Sequence, residues 1–194
     1  MNKFYAFISS LVRVFVGPLY PMKYLGRENI PEGPAIVCAN HSSYLDPILV
    51  SFAFTARKNV HFMAKADLFD VPVIGPVIRG VGAFPVVRGT SDVSAIRNSM
   101  KYLRQGEKIM MFPEGKRVPE DDAQAVKTGA VRIALKLGVP IIPMYIPRKK
   151  RLFKRDEVII GKPYHVDNTQ QGGDYNALSK QLLDKISELG TDRI

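Results

Sequence analysis

Short apolar runs alternate with longer amphipathic segments along most of the chain, and this alternation predicts an α/β fold. The predicted strands are Ala35–Ala39, Val60–Ala64, Ala83–Val87, Lys108–Phe112, Ile141–Ile146 and Glu157–Ile160. Several are apolar throughout, as strands are when helices cover both faces of a sheet. The predicted helices are Pro47–Thr55, Ser91–Arg104, Ala123–Leu137 and Tyr175–Leu189. The pattern therefore indicates one α/β domain with a mixed, largely parallel sheet flanked by helices.

The first sixteen residues follow a helical pattern that is apolar around most of its circumference. The polar positions share an arc of roughly 120°, and they are Asn2, Lys3, Ser9, Ser10 and Arg13. Gly17 and Pro18 are expected to end this helix. It is shorter than the roughly 30 Å hydrocarbon core of a bilayer and carries Arg13, which favours a helix lying in the membrane interface.

The segment after this helix, Leu19–Leu25, is rich in Tyr and Lys, which favour the headgroup zone. We therefore predict residues 1–25 as a membrane-interface helical segment and residues 26–194 as the α/β domain. Packing of the N-terminal helix onto the protein's own core is the alternative. A signal peptide is rejected because a cation interrupts the apolar stretch and no small-residue cleavage site follows it.

The amino-acid composition and the net charge limit the kinds of partner that the protein is expected to bind. The net charge is +10 over 194 residues, and Arg148–Arg155 holds six cations in eight residues. Such a run fits a solvated loop, a nucleic-acid contact or an anionic bilayer surface, where each nearby cation contributes about 1 kcal/mol. With the amphipathic N-terminus, it favours a monotopic protein at the cytoplasmic face of a membrane. The single cysteine suits a reducing compartment and excludes an internal disulfide.

The segment Asn40–Pro47 brings together two residue types needed for general base catalysis. Imidazole titrates near neutral pH, so His41 is suited to take a proton from an alcohol. The carboxylate of Asp46 would fix the imidazole tautomer and stabilise the protonated ring. Positions five apart do not meet on a continuous helix, so the pair needs a strand-to-helix turn, with Asp46 as helix cap. A capping Asp beside a solvated His is the alternative.

Other charged residues follow predicted strands in the same way. Lys65, Arg88, Glu114 and Arg117 each come shortly after the end of a strand. The carboxyl ends of parallel strands meet at one edge of the sheet, where binding sites gather. Converging Lys and Arg side chains are suited to an anionic, phosphorylated substrate.

These residues lie in four blocks that resemble the glycerolipid acyltransferases, specifically the 1-acyl-glycerol-3-phosphate (lysophosphatidic acid) acyltransferases. Asn40–Asp46 resembles the family's His-x-x-x-x-Asp motif, and Gly82–Arg88 resembles its second motif. Phe112–Arg117 resembles the third motif and Val139–Met144 the fourth. The four blocks occur in the family's order. Lys116 departs from the third motif, which usually has Thr there.

The resemblance implies transfer of a fatty acyl group from a thioester to the sn-2 hydroxyl of 1-acyl-glycerol-3-phosphate, giving phosphatidic acid. His41 would be the general base and Asp46 its partner. The implied phosphate-binding residues are Arg88, Glu114, Gly115 and Arg117, to which position adds Lys65; weaker candidates for substrate binding are Gly82, Phe84 and Lys116. The donor would be acyl-CoA or acyl carrier protein, with no cofactor or metal.

Several alternatives remain open from the sequence. Ser42, Ser43 and Cys38 are rival nucleophiles, although Cys38 lies inside an apolar strand, where cysteine is usually a small buried hydrophobe. The acceptor could be another lysophospholipid or a lipid hydroxyl or amine. A basic lipid-binding module without catalysis would not need His41 or Asp46. Nucleic-acid binding is not expected, because no stacking-aromatic motif accompanies the cations.

Overall fold

The computed structural model describes residues 3–54, 60–80, 82–87, 93–115, 126–167 and 174–191. Its elements, in chain order, are α1 (Lys3–Leu19), β1 (Met22–Leu25), β2 (Ala35–Ala39), α2 (Asp46–Ser51), β3 (Val60–Lys65), α3 (Ile74–Gly80), β4 (Phe84–Val86), α4 (Val93–Arg104), β5 (Lys108–Met111), α5 (Gly129–Leu137), β6 (Ile141–Tyr145), β7 (Asp156–Ile160) and α6 (Tyr175–Thr191). All six predicted strands are present, with their ends within one residue of the prediction.

The strands form one seven-stranded sheet in the order β1-β7-β6-β2-β5-β3-β4. Every neighbouring pair is parallel except β6 and β7. The predicted mixed, largely parallel α/β sheet is therefore confirmed. Strand β2 lies between β5 and β6, and Cys38 near its end is level with Met111 and Pro143. The three loops that follow these strands consequently begin side by side.

Helices cover both faces of the sheet, which explains why β2 is buried along its whole length. Val37 and Ala39 face one apolar cluster that includes Val50 of α2. Ile36 and Cys38 face the other cluster, where α4, α5 and α6 pack. Burial raises the pKa of the Cys38 thiol, so this side chain is an inert part of the core.

The sequence prediction was wrong about Leu19–Leu25. Met22–Leu25 is an edge strand paired with β7, so the α/β sheet begins before residue 26 and these four residues are not helical. Two contacts explain this placement. Lys23 Nζ lies 3.1 Å from Glu157 Oε1, and the Tyr24 hydroxyl donates to the carbonyl of Leu49 at 2.8 Å.

Helix α1 also differs from the prediction because it continues through Gly17 and Pro18 to Leu19. A proline in the last turn removes only one donor from the helix. The side chain of Arg13 faces the body of the protein, where Nη2 donates to the carbonyl of Phe52 at 2.9 Å. The apolar side of α1 is exposed along much of its length, at Phe7, Leu11, Val14, Phe15 and Leu19.

Helix α3 was missed because its segment is rich in Gly and Pro. Pro76 falls in the first turn of α3, where the missing N–H has no carbonyl to bond. Helices α2 and α5 are shorter than predicted, and residues 116–125, which include the predicted start of α5, lie outside the described ranges. In the part of the chain that the structure describes, no helix is long and apolar enough to span a membrane.

Gly26 provides a test of how β1 joins the sheet. Its φ is +78°, and a Cβ atom there would lie 2.2 Å from the carbonyl oxygen of Ile160. We expect Gly26→Ala to lower the free energy of unfolding by about 2–4 kcal/mol, from left-handed strain and the clash combined. Gly33→Ala is the control, since nothing lies within 4 Å of its Cβ position. Urea unfolding measures both; equal stability of the two variants would contradict this geometry.

Candidate active site

The loop after β2 is fixed in place by Asn40. Its side-chain amide donates to the carbonyl of Ile146 and accepts from the Ile146 N–H, both at 2.8 Å. These two bonds tie the end of β2 to the residue just after β6. His41 therefore begins its loop from a rigid point at the middle of the sheet's carboxyl edge.

His41 and Asp46 are in direct contact, as the sequence predicted. Nδ1 of His41 lies 2.9 Å from Oδ2 of Asp46, and both side chains are buried. The contact is possible because residues 41–45 form a turn and α2 begins only at Asp46. The distance is that of a hydrogen bond between a ring nitrogen and a carboxylate.

The predicted helix cap is wrong. Asp46 is the first residue of α2, and its carboxylate turns back to the loop before the helix. Oδ2 accepts from the backbone N–H groups of Ser42 and Ser43, each at 2.7 Å, as well as meeting His41. The carboxylate thus shapes the turn that holds its own histidine partner.

Asp46 remains ionised in spite of its burial. Burial acts to raise the pKa of the carboxyl group, but bonds from His41, Lys150 and the Ser43 N–H outweigh it, and the pKa falls below its usual value. An ionised Asp46 requires Nδ1 of His41 to be the protonated, donating nitrogen. The lone pair on Nε2 is then the basic site of the imidazole. The His41 ring is also stacked on Phe112, with ring centroids 4.0 Å apart.

Glu114 holds the backbone of His41 from the neighbouring loop after β5. Its Oε2 accepts from the His41 N–H at 3.0 Å, and Oε1 accepts from Arg148 Nη2 at 3.1 Å. Burial raises the pKa of this carboxyl group, although the His41 N–H and Arg148 oppose that shift. The sequence assigned Glu114 to the substrate phosphate; in the structure both of its oxygens already bind groups of this chain.

Gly115 fits closely beside Glu114. Its φ is +67°, and a Cβ atom there would lie 2.7 Å from Cγ of Lys127. Only glycine adopts this backbone conformation without strain and leaves room for Lys127. The backbone N–H of Lys127 donates to the carbonyl of Pro113 at 2.8 Å, which holds the two segments together.

Two cations of the site were missed by the sequence analysis. Arg148 pairs with Glu114, and Nζ of Lys150 contacts Oδ1 of Asp46 and lies 2.6 Å from Oγ of Ser42. The intervening Lys149 is exposed. Residues 148 and 149 form a bend, and the side chains of Arg148 and Lys150 face the site while that of Lys149 faces outward. The position of the cationic run directly after a strand was the available signal.

The two serines beside His41 are bonded elsewhere. Ser42 Oγ donates to the carbonyl of Arg148 at 3.1 Å while it accepts from Lys150. Ser43 Oγ accepts from the N–H of Leu45 at 3.2 Å. Neither arrangement presents a serine hydroxyl to the His41 ring.

The remaining predicted site residues are placed differently. Lys65 ends β3, is exposed and pairs with Asp67. Two strand spacings, about 10 Å, separate β3 from β2. Arg88, Lys116 and Arg117 lie outside the described residues.

Gly82 and Phe84 contact residues outside the His41 cluster. The Gly82 carbonyl lies 2.8 Å from Nδ1 of His61, and the buried Phe84 ring packs on Tyr102. These contacts give both residues a packing role at the edge of the sheet. Within the described ranges, no three His, Cys, Asp or Glu side chains come together as metal ligands.

Comparison with known proteins identifies the family of this chain and its fold. The family model described as Acyltransferase matches residues 21–147. A 1-acyl-sn-glycerol-3-phosphate acyltransferase of Bacillus subtilis (strain 168) is 32% identical over 98% of this chain and 94% of its own length. A chloroplastic relative of the same description, LPAT1 of Arabidopsis thaliana, is 28% identical, and this chain spans 54% of its length.

A solved structure is similar throughout. The crystal structure of the 1-acyl-sn-glycerophosphate (LPA) acyltransferase PlsC from Thermotoga maritima has a TM-score of 0.69 and 26% sequence identity, covering 98% of this chain and 80% of that one. The chain therefore belongs to the acyltransferase family, and it is an acyltransferase enzyme.

The ionised state of Asp46 predicts a dependence of stability on pH. Because folding lowers the pKa of Asp46, its contribution is present above the ordinary value of about 3.9 and is lost as the pH falls through the lowered value. We expect Asp46→Asn to lower the free energy of unfolding by about 3–5 kcal/mol at pH 7. It should also flatten the loss of stability below about pH 4.

Urea unfolding at pH 7 and pH 3 measures both effects. Asp70→Asn is the control because Asp70 is exposed. If Asp46→Asn and the wild type lost stability in parallel on acidification, Asp46 would not be ionised in the fold as described.

Proposed function

We propose that this enzyme transfers a fatty acyl group from a thioester to the sn-2 hydroxyl of 1-acyl-glycerol-3-phosphate, giving phosphatidic acid. The observation that carries the proposal is the buried His41–Asp46 contact of 2.9 Å. The names of the relatives supply the acceptor, since the Bacillus and Arabidopsis proteins are both described as 1-acyl-sn-glycerol-3-phosphate acyltransferases.

In the proposed reaction, Nε2 of His41 removes the proton from the acceptor hydroxyl. The hydroxyl oxygen attacks the thioester carbonyl carbon, a tetrahedral intermediate forms, and the carbon–sulfur bond breaks. The proton on Nε2 then passes to the departing thiolate. Asp46 holds the ring through Nδ1 and stabilises the imidazolium formed in the first step.

Direct attack without an acyl-enzyme fits the positions of the rival nucleophiles. A catalytic serine or cysteine needs its oxygen or sulfur within hydrogen-bond reach of the base. Ser42 Oγ is instead bonded to Lys150 and to the Arg148 carbonyl, and Cys38 is fully buried. The acceptor oxygen is therefore the nucleophile in the proposed mechanism.

For the substrate phosphate, the proposal keeps Arg88, Arg117 and Lys65 as ligands, with Lys116 as a weaker candidate for substrate binding. Glu114 and Gly115 take a supporting role, because Glu114 binds the His41 N–H and Arg148. We propose acyl-CoA or acyl carrier protein as donor, since the net charge of +10 is suited to phosphates and to acidic proteins alike. Lys116 is the reason to assay other lysophospholipids as acceptors.

The reaction is tested with purified protein, lysophosphatidic acid and each donor, with the product identified by mass. General base catalysis contributes about 10²–10⁴-fold, so we expect His41→Ala to lower kcat at least a hundredfold while the circular dichroism spectrum is unchanged. His61→Ala is the matched control, because His61 contacts Gly82 and Glu107 instead of the dyad. Turnover by His41→Ala above a tenth of wild type would overturn the mechanism, and phosphatidic acid formation absent with both donors would overturn the proposed reaction.

The exposed apolar surface supports attachment to a bilayer. The outer face of α1 includes Phe7, Val14 and Phe15, each more than 60% exposed. The loop after β6 adds Leu152 and Phe153, of which Phe153 is 72% exposed. The Phe153 N–H donates to the Leu19 carbonyl at 2.9 Å, so this loop is attached to the end of α1.

The same loop combines apolar tips with positive charge. Lys154 and Arg155 are exposed beside Leu152 and Phe153, and the φ of Phe153 is +57°, an unusual conformation for a bulky residue. Apolar side chains flanked by cations suit an anionic lipid surface, where the side chains enter the interface and the cations meet headgroups. We therefore propose peripheral attachment through α1 and this loop, on the cytoplasmic side of the membrane.

Vesicle binding tests this surface. We expect the double variant Leu152→Ser/Phe153→Ser to weaken binding to phosphatidylglycerol vesicles about tenfold or more, from partial loss of apolar burial. Val93→Ser/Ile96→Ser is the matched control, because these exposed apolar residues lie on α4, which packs against the opposite face of the sheet from α2. Sedimentation with vesicles measures both variants; equal weakening would show that the loop has no special part in attachment.

A further inference from the structure

Lys150 is a buried cation that the reaction described above does not use. Its side chain is only 5% exposed, and Nζ contacts Oδ1 of Asp46 and lies 2.6 Å from Oγ of Ser42. Burying an ammonium group is costly unless an opposite charge and hydrogen bonds compensate for lost water. In this protein the opposite charge is the carboxylate of Asp46, which contacts His41.

The two oxygens of Asp46 have separate partners. Oδ2 meets His41 Nδ1 and the N–H groups of Ser42 and Ser43. Oδ1 is buried and contacts Lys150. Without Lys150, the carboxylate would be held at one oxygen only and could rotate about its Cβ–Cγ bond. Rotation would move Oδ2 away from the imidazole.

Lys150 also balances the charge of Asp46. Among the described residues, the charged groups in contact with this cluster are Asp46 from α2, Glu114 and Arg148 from the loops after β5 and β6, and Lys150 from the same β6 loop. Each carboxylate is thereby matched by one cation. An uncompensated Asp46 would hold a proton on His41 more strongly, and a protonated ring cannot act as a base.

We propose that Lys150 is a positioning residue for acyl transfer: it fixes the carboxylate of Asp46 and balances its charge so that His41 is held in the orientation and protonation state of a general base. This inference rests on the proposed role of His41. Direct binding of the substrate phosphate by Lys150 is the competing role. It is disfavoured because the ammonium group is buried and already occupied by Asp46 and Ser42.

The test compares the acyl-transfer kinetics of the variants Lys150→Met, Lys150→Arg and Lys149→Met. The acceptor is lysophosphatidic acid dispersed in detergent. Lys149 is the matched control, since it is the adjacent cation of the same loop and is exposed. We expect Lys150→Met to lower kcat about a hundredfold through misorientation of the dyad, with KM for lysophosphatidic acid within twofold. The kcat of Lys150→Arg should be at least tenfold higher than that of Lys150→Met. The kcat of Lys149→Met should remain within twofold of wild type.

Two further measurements separate positioning from simple support of the fold. In Lys150→Met, the acidic limb of the kcat/KM profile should move to higher pH, because the uncompensated Asp46 favours a protonated ring. Adding Lys150→Met to Asp46→Asn should change kcat less than threefold, since the lysine acts through that carboxylate. Active-site concentration is normalised to the folded fraction from circular dichroism.

The outcomes are distinguishable. A raised KM with unchanged kcat would assign Lys150 to phosphate binding and overturn the proposal. Additive losses with Asp46→Asn, or an unmoved acidic limb, would also overturn it. If His41→Ala kept its activity, the proposed function of the dyad would fail; if His41→Ala lost activity while Lys150→Met did not, only the role of Lys150 would fail.

Discussion

The buried carboxylate of Asp46 is the group on which the rest of the site depends. It stands at the start of α2, yet its bonds run backward to the N–H groups of Ser42 and Ser43 and to the ring of His41. A charge in this position is stable only when each oxygen has a partner. The turn after β2, the loop after β6 and the imidazole are therefore ordered around one residue.

The cationic segment after β6 has some side chains in the active site and others on the protein surface. Arg148 and Lys150 point inward and meet Glu114 and Asp46, whereas the following residues, including Phe153, stay outside. A run of like charges is ordinarily a solvated tail or a nucleic-acid contact. Here Arg148 and Lys150 pair with buried carboxylates while Lys149 between them is exposed, so neighbouring cations have unrelated roles.

Sequence patterns predicted those strands, helices and turns that are determined by residues close together in the chain. The central strands are apolar throughout, and the spacing of His41 and Asp46 required the turn that the structure has. Strand β1 was missed because its short alternating sequence becomes a strand only by pairing with β7, and Lys23 meets Glu157, 134 positions away. The inward direction of Lys150 likewise depends on how β6 lies beside β2.

The antiparallel pairing of β6 with β7 has a topological consequence. Because β1 is parallel to β7, Met22 at its start is level with Asp156, the first residue after the loop that follows β6. The chain thus leaves α1 and enters the sheet on the same side from which β2, β5 and β6 release their loops. One reversal of strand direction therefore places the end of α1 and the exposed apolar loop at Phe153 on the edge of the sheet that carries His41, an arrangement that agrees with the proposed acylation of a lipid acceptor.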